Sequence, residues 1–396
     1  MAAKEMSARE RMITALKGGV PDRVPCAPDM SNMIPCRLTG KPFYEVYLNQ
    51  NPPLWKAYMD AVRYFGIDGW FVDGDPGFIY KDVGVTSESE VEVAANGGRI
   101  VHQVIHTPAG DLSQKTMMYT DNSPSIIEGL IKDFEQDFPK IKYLFPEVIG
   151  CNPALLEEQR KYVGEDGIFC TAIMPFGLHT MMVYFDGGIQ SAIYAYYDYP
   201  DLFEEWAEIH RKNTTKKLEM VLDCGVDGIL TGGSGSITLQ NPEIWEHLAL
   251  PELKEITHMC RQAGVVSGIH SCGKEMHLIK TVAEQTELDY VNPLEIAPMG
   301  DSSLAEARKI CGNMALMGNL HTTNVMLLGS VKDVRRESLK AILDGGLNGA
   351  FVLSTGDQCG RDTPEENIRE MVRVVEEFGH YPLDVEAIRE ELKKLG

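Results

Sequence analysis

Short apolar runs alternate with helix-patterned stretches along most of the chain, and the alternation is the main structural signal. Residues 7–17 read as a first helix: Ser7 can cap it, Glu10 stands three residues on, and Met12, Ile13 and Leu16 form one apolar side before Gly18 and Gly19 stop it. Residues 23–26 are a short strand and 52–65 a helix, with Leu54, Tyr58, Val62 and Phe65 in step. Residues 68–73 are a second strand. Six further strands are expected at 167–173, 227–231, 265–270, 288–292, 314–319 and 350–355. Helices are expected at 177–196, 201–224, 242–263, 274–284, 302–311, 331–343, 364–378 and 384–395.

One stretch breaks the rhythm. Between 89 and 119 apolar residues alternate with polar ones (Val91, Val93, Ile100, Val104 and Ile105 among them) around a Gly-Gly turn at 97 and 98. That is the pattern of antiparallel hairpins. Residues 125–144 then return to a helical spacing. Eight short strands alternating with helices predict an α/β fold, a (β/α)8 TIM barrel with an antiparallel hairpin excursion before strand three. The expected organisation is a single domain over 1–396 with a hairpin-rich insertion at 76–150, a lid or a docking surface. A doubly wound open sheet is the alternative, but no GxGxxG follows an early strand. The glycines of GGSGS at 232–236 read as an ordinary βα loop.

Composition narrows the function. The 396 residues carry a formal charge of −21, which argues against nucleic acid and against anionic membranes as partners. No apolar run approaches the roughly 20 residues needed to span a bilayer, and the first 20 positions lack the apolar core of a secretory leader. Nine scattered cysteines in such a chain suggest a reduced, cytoplasmic protein in which most are small packing residues. Cys170, Cys260 and Cys311 fit that role, and Cys26 and Cys36 lie near the first strand.

Candidate chemistry gathers at the predicted strand ends, which in such a barrel line one mouth. His270 and Cys272 end strand five in VVSGIHSCGK, and Cys359 follows strand eight in STGDQCGRDTPEEN. One His and two Cys form a nitrogen–sulfur set suited to zinc, and three protein ligands leave a fourth position open, the catalytic arrangement. An H-x-C alone carries little; the second cysteine on a loop beyond strand eight gives the set its meaning. Asp73 follows strand two, Glu295 strand six and Asn319 strand seven. These three are the candidate catalytic residues, and Glu295 or a water is available to complete a metal shell. His179 and His277 lie near the mouth as candidates for outer contacts.

Over nearly its whole length the chain resembles the uroporphyrinogen decarboxylase superfamily. The resemblance rests on the opening RERMITALKGGVPDRVPC, on IHSCGK, on MGNLHTTNVMLLGS and on the closing STGDQCGRDTPEENIREMV. It implies a (β/α)8 barrel with its site at the C-terminal mouth. The decarboxylases carry an arginine-rich MRQAGR-type segment after the first strand, where this chain reads APDMSNMIPCR with Arg37 alone nearby. The H-x-C…C set instead resembles that of the corrinoid-dependent methyltransferases, which include the methylcobamide:coenzyme M enzymes and relatives in anaerobes that demethylate methoxylated aromatics. By that resemblance His270, Cys272 and Cys359 are zinc ligands. The cobalt, as methylcobalamin or cob(I)alamin, is carried by a separate corrinoid protein, since no D-x-H-x-x-G segment is present in this chain. The expected partners are that protein, a small-molecule methyl donor or acceptor and, as barrels of this size often dimerise, a second copy. A metal-independent decarboxylase and a non-catalytic tetrapyrrole- or corrinoid-binding barrel are the competing readings.

Overall fold

The computed structural model describes residues 5–396. Seven parallel strands run side by side in chain order: Gly69–Phe71, Gly167–Ala172, Gly228–Gly232, Val266–His270, Tyr290–Asn292, Ala315–Leu320 and Phe351–Thr355. The segment around Cys26 closes the ring. Ala27 N–H donates to the Leu353 carbonyl and Leu353 N–H to that of Pro25, both at 2.9 Å, while Asp68 N–H reaches the Cys26 carbonyl at 2.8 Å. The eighth stave is held by isolated bridges, because Pro25 and Pro28 remove two of its donors. The fold is the (β/α)8 barrel of the sequence reading.

Alternation along the strands separates two buried layers. Phe71, Phe169, Ile229, Ile269, Val291, Leu316 and Leu353 pack with the surrounding helices. Trp70, Ile168, Cys170, Leu230, Val266, Tyr290, Met317 and Val352 fill the interior, where Met12, Ala15 and Leu16 join them. Helix Ala8–Leu16 therefore plugs the barrel at the N-terminal ends of its strands, with the Ser7–Glu10 capping box as expected. Tyr290 crosses the interior and accepts a hydrogen bond from Trp70 Nε1 at 3.0 Å. Its ring needs the missing side chain of Gly268, where a Cβ would lie 2.0 Å from Tyr290 Cζ.

The excursion is a four-stranded antiparallel sheet of Thr86–Val93, Arg99–Thr107, Gly110–Met118 and Ser125–Glu128. A separate two-stranded ribbon pairs Phe78–Tyr80 with Val148–Cys151. Ile105 and Leu112 pack into an aromatic cluster with Phe134, Phe138, Phe203 and Trp206. The helix expected over 125–144 is a correction: residues 125–128 are the fourth strand of the sheet, and the helix is confined to Phe134–Ile141. Ile126, Ile127, Leu130, Ile131, Phe134 and Phe138 mimic helical spacing, yet the first two are exposed strand residues. The helix expected over 177–196 is likewise interrupted, at Gly187 and Gly188, both at positive φ. Among the described residues no helix is long and apolar enough to cross a membrane.

Candidate metal centre

The strand Val266–His270 delivers His270 to the rim, paired with Gly232 on one side and Asn292 on the other. The chain then turns through Ser271, Cys272 and Gly273. Gly273 has φ +100, and a Cβ there would lie 2.3 Å from Thr238 Oγ1, so the turn that presents Cys272 depends on glycine. Gly273 N–H donates to Glu295 Oε2, which ties the carboxylate of the next loop to this turn.

Asn292 sets the histidine. His270 Nδ1 lies 2.8 Å from Asn292 Oδ1, an acceptor, so Nδ1 is the donor of that bond and Nε2 is the nitrogen that would face an ion, losing its own proton to bind one. From across the closing strand pair comes Asp357, two residues beyond strand Phe351–Thr355. Thr355 Oγ1 shapes that loop by accepting from Asp29 N–H at 3.0 Å and donating to the Asp357 carbonyl at 2.7 Å. Ligand atoms of His270, Cys272 and Asp357 all lie within 4.8 Å of one another, the one such set among the described residues. Imidazole nitrogen, thiolate and carboxylate are each zinc donors, and these three side chains would hold such an ion.

Cys359 belongs to the same loop but not to this set. It is fully buried, its N–H donates to the Asp29 carbonyl at 2.8 Å, and its sulfur bonds the Thr355 side chain. Burial, with the nearby charge of Asp29, pushes its thiol up to about 12. Asp73 stands at the end of the second stave, Glu295 under the Gly273 turn, and Asn319 half-buried at the end of its strand opposite Ser354. A Cβ on Gly356 would touch both the Asn319 carbonyl (3.4 Å) and Glu295 Cα (3.6 Å), so these two share one side of the mouth with the Asp357 loop. His179 is buried on Gln240, its Nδ1 2.7 Å from the amide nitrogen, and His277 lies at the surface on Glu246.

The electrostatics of the mouth are those of a site short of positive charge. Burial raises the carboxyls of Asp29, Asp73, Glu275 and Glu295, and neighbouring carboxylates raise each further. Asp73 is open to solvent, yet it stands on the floor of a concavity where protein surrounds it, which is why crowding dominates its shift. Burial pulls the His270 imidazole down, but the Cys272 contact, the charge of Asp29, the Asn292 bond and Asp357 together hold it up at about 9. A divalent cation bound here would relieve the same repulsion.

Asp357 and Asp29 are the residues that sequence reasoning missed. Asp357 stands in the quoted STGDQC run, two positions before the cysteine singled out, and Asp29 in APDM after the first stave. Their signal was position alone, a carboxylate just beyond a barrel strand.

Asn292→Ala is expected to weaken zinc binding by roughly 10–100-fold with the fold retained, since it removes the acceptor that fixes the imidazole. Competition against a chromogenic chelator measures it, and unchanged affinity would show that His270 needs no such support.

The family model for uroporphyrinogen decarboxylase (URO-D) matches residues 100–378. Among curated proteins, methylcobamide:CoM methyltransferase MtbA of Methanosarcina mazei is 25% identical over 275 residues, covering 68% of this chain and 74% of the relative. MtbA of Methanosarcina acetivorans is 25% identical over 276 residues with the same coverage, 68% and 74%. Among solved structures, a methyltransferase from Methanosarcina mazei superposes with a TM-score of 0.61 at 18% identity, over 94% of this chain and 99% of that one, a likeness of fold. With a family match that spans most of the barrel, the chain belongs to the uroporphyrinogen decarboxylase family.

Proposed function

We propose that the protein is a zinc-dependent methyltransferase of a corrinoid-dependent system, moving a methyl group between a small substrate and the cobalt of a separate corrinoid protein. The observation that supports this most directly is the donor set itself: one imidazole, one thiol and one carboxylate converge at the barrel mouth, with a second thiol on the same loop. The similarity to the Methanosarcina enzymes points the same way.

His270, through Nε2, and Cys272 would hold the ion. Asp357 or Cys359 would take the third position, and a fourth would stay open for substrate. Zinc in such a site is a Lewis acid toward a thiol or an ether oxygen, and the partner's corrinoid is the methyl carrier. The chain's own part is positional. Asn292 aims the imidazole, and Gly273 presents the thiol. Glu295, held by the Gly273 N–H, stands beside the set as a further ligand or as acceptor for a substrate proton. Asp73 and Asn319 flank the space in which the substrate lies. Residues 76–150 are proposed as a docking or covering element over the mouth.

Elemental analysis of protein purified anaerobically without chelator is expected to give about one zinc per chain. Methyl transfer is then followed by the cobalamin spectrum, with thiols and methoxylated aromatics as substrates. Metal-free protein that is fully folded, and inert after zinc is added, would overturn the reading and return attention to decarboxylation.

A further inference from the structure

Beside the metal set the mouth deepens into a cavity of about 150 Å³, lined by Asp29, Asn32 and Asp73 together with Leu54, Tyr58, Trp70 and Val72. A space of this size takes a group about as large as benzene. The cavity shares Asp29 with the surroundings of His270 and Cys359, which places it next to the loop that carries Asp357.

The chemistry of the walls selects the occupant. Both aromatic rings have already spent their polar atoms: Tyr58 Oη donates to the Trp70 carbonyl at 2.9 Å and accepts from Trp70 N–H at 3.1 Å, and Trp70 Nε1 serves Tyr290. Neither side chain therefore has a polar atom free for a ligand, and Asn32 Oδ1 is likewise taken, by Gln358 Nε2 at 2.8 Å. Ser31 spends its hydroxyl on Asp29. Among the described residues, no lysine, arginine or histidine lines the cavity. An anionic group in this cavity would lie against two carboxylates with no basic side chain in the wall. Carboxylates beside aromatic and aliphatic walls are instead the surroundings that favour an alkylated ammonium group.

We infer that this cavity holds the ammonium end of a small cationic substrate, leaving the rest of the molecule to reach toward His270 and Cys272. Calling the ligand a substrate rests on the methyltransferase reading; its binding does not.

The test is calorimetry on the full chain with three probes. Choline carries the charge; 3,3-dimethylbutan-1-ol has the same shape with carbon in place of nitrogen; 2-hydroxyethanesulfonate is the anion. Choline is expected to bind at least about tenfold more tightly than its neutral isostere, and to weaken as salt rises. Asp73→Asn is expected to lose about tenfold of that affinity and Asp73→Glu to regain part of it, each with a thermal midpoint near that of the parent. Equal binding of the neutral isostere, preference for the sulfonate, or no binding by any probe would overturn the inference. Because the readout is binding, a protein that takes choline but transfers no methyl group would sink the reaction and keep the subsite, and the converse result would do the opposite.

Discussion

Cys272→Ser protein is expected to be purified with less than about a tenth of the parent's zinc. A hydroxyl is a far poorer zinc ligand than a thiolate, and loss of a direct ligand exceeds the 10–100-fold that outer contacts contribute. The fold should survive, because Cys272 sits on a half-exposed turn outside the packed interior. The sharper comparison is between Asp357→Asn and Cys359→Ser. As the loop stands, the Asp357 carboxylate faces His270 and Cys272 while the Cys359 sulfur is turned to Thr355. If the structure's set is the binding set, Asp357→Asn loses the metal and Cys359→Ser keeps it. If zinc instead draws the second thiolate in, the pattern reverses, and methyl transfer fails in Cys359→Ser as well. Zinc retained in all three variants would mean that the metal is elsewhere or adventitious.

That comparison also marks where the sequence stops being informative. His270 was legible because a buried strand of a barrel is a short apolar run, and the first polar residue beyond it must lie at the rim. The same logic placed Asp73, Glu295 and Asn319. It could not choose between Asp357 and Cys359, which occupy one loop two residues apart; the choice depends on side-chain rotation around a hydrogen bond to Thr355. The excursion was half legible for a related reason. Thr86–Val93 and its partners alternate cleanly, but Ser125–Glu128 earns its strand by pairing with Lys115–Met117, a tertiary contact that local periodicity does not carry. Helices Met33–Leu38 and Phe43–Tyr47 were missed because, at 6 and 5 residues, they are too short for an apolar period to show.

Arg11→Met is expected to be the most destabilising single change away from the mouth, by about 3–5 kcal/mol. Arg11 is buried at the closed end of the barrel, where its guanidinium binds Asp22 at 2.7 and 2.9 Å, Asp68 at 2.6 Å and the Met6 carbonyl at 2.7 Å. Asp68 is 1% exposed and also receives Arg23 at 2.9 Å and Cys26 N–H at 2.8 Å. One network thus joins the plug helix, the weakly paired first stave and the second strand, at the place where the ladder itself has fewest bonds. Methionine keeps the length and bulk of the side chain, so the loss reports the stranded carboxylates rather than a cavity. Urea unfolding at neutral pH measures it, and a change below about 1 kcal/mol would mean that Arg23 alone suffices for Asp68. A pH series separates charge from packing. Burial alone would raise Asp22, but the hydrogen bonds from Arg11 and from the N–H groups of Met6 and Arg23 hold it at about 2, below its ordinary 3.8. A carboxylate lowered in the folded state adds stability above its unfolded value and loses it as pH falls through the folded one. The parent should therefore lose stability between about pH 4 and 2, and Arg11→Met should show a shallower fall over that interval. Parallel acid slopes in the two proteins would place the contribution of Arg11 in packing rather than in its charge.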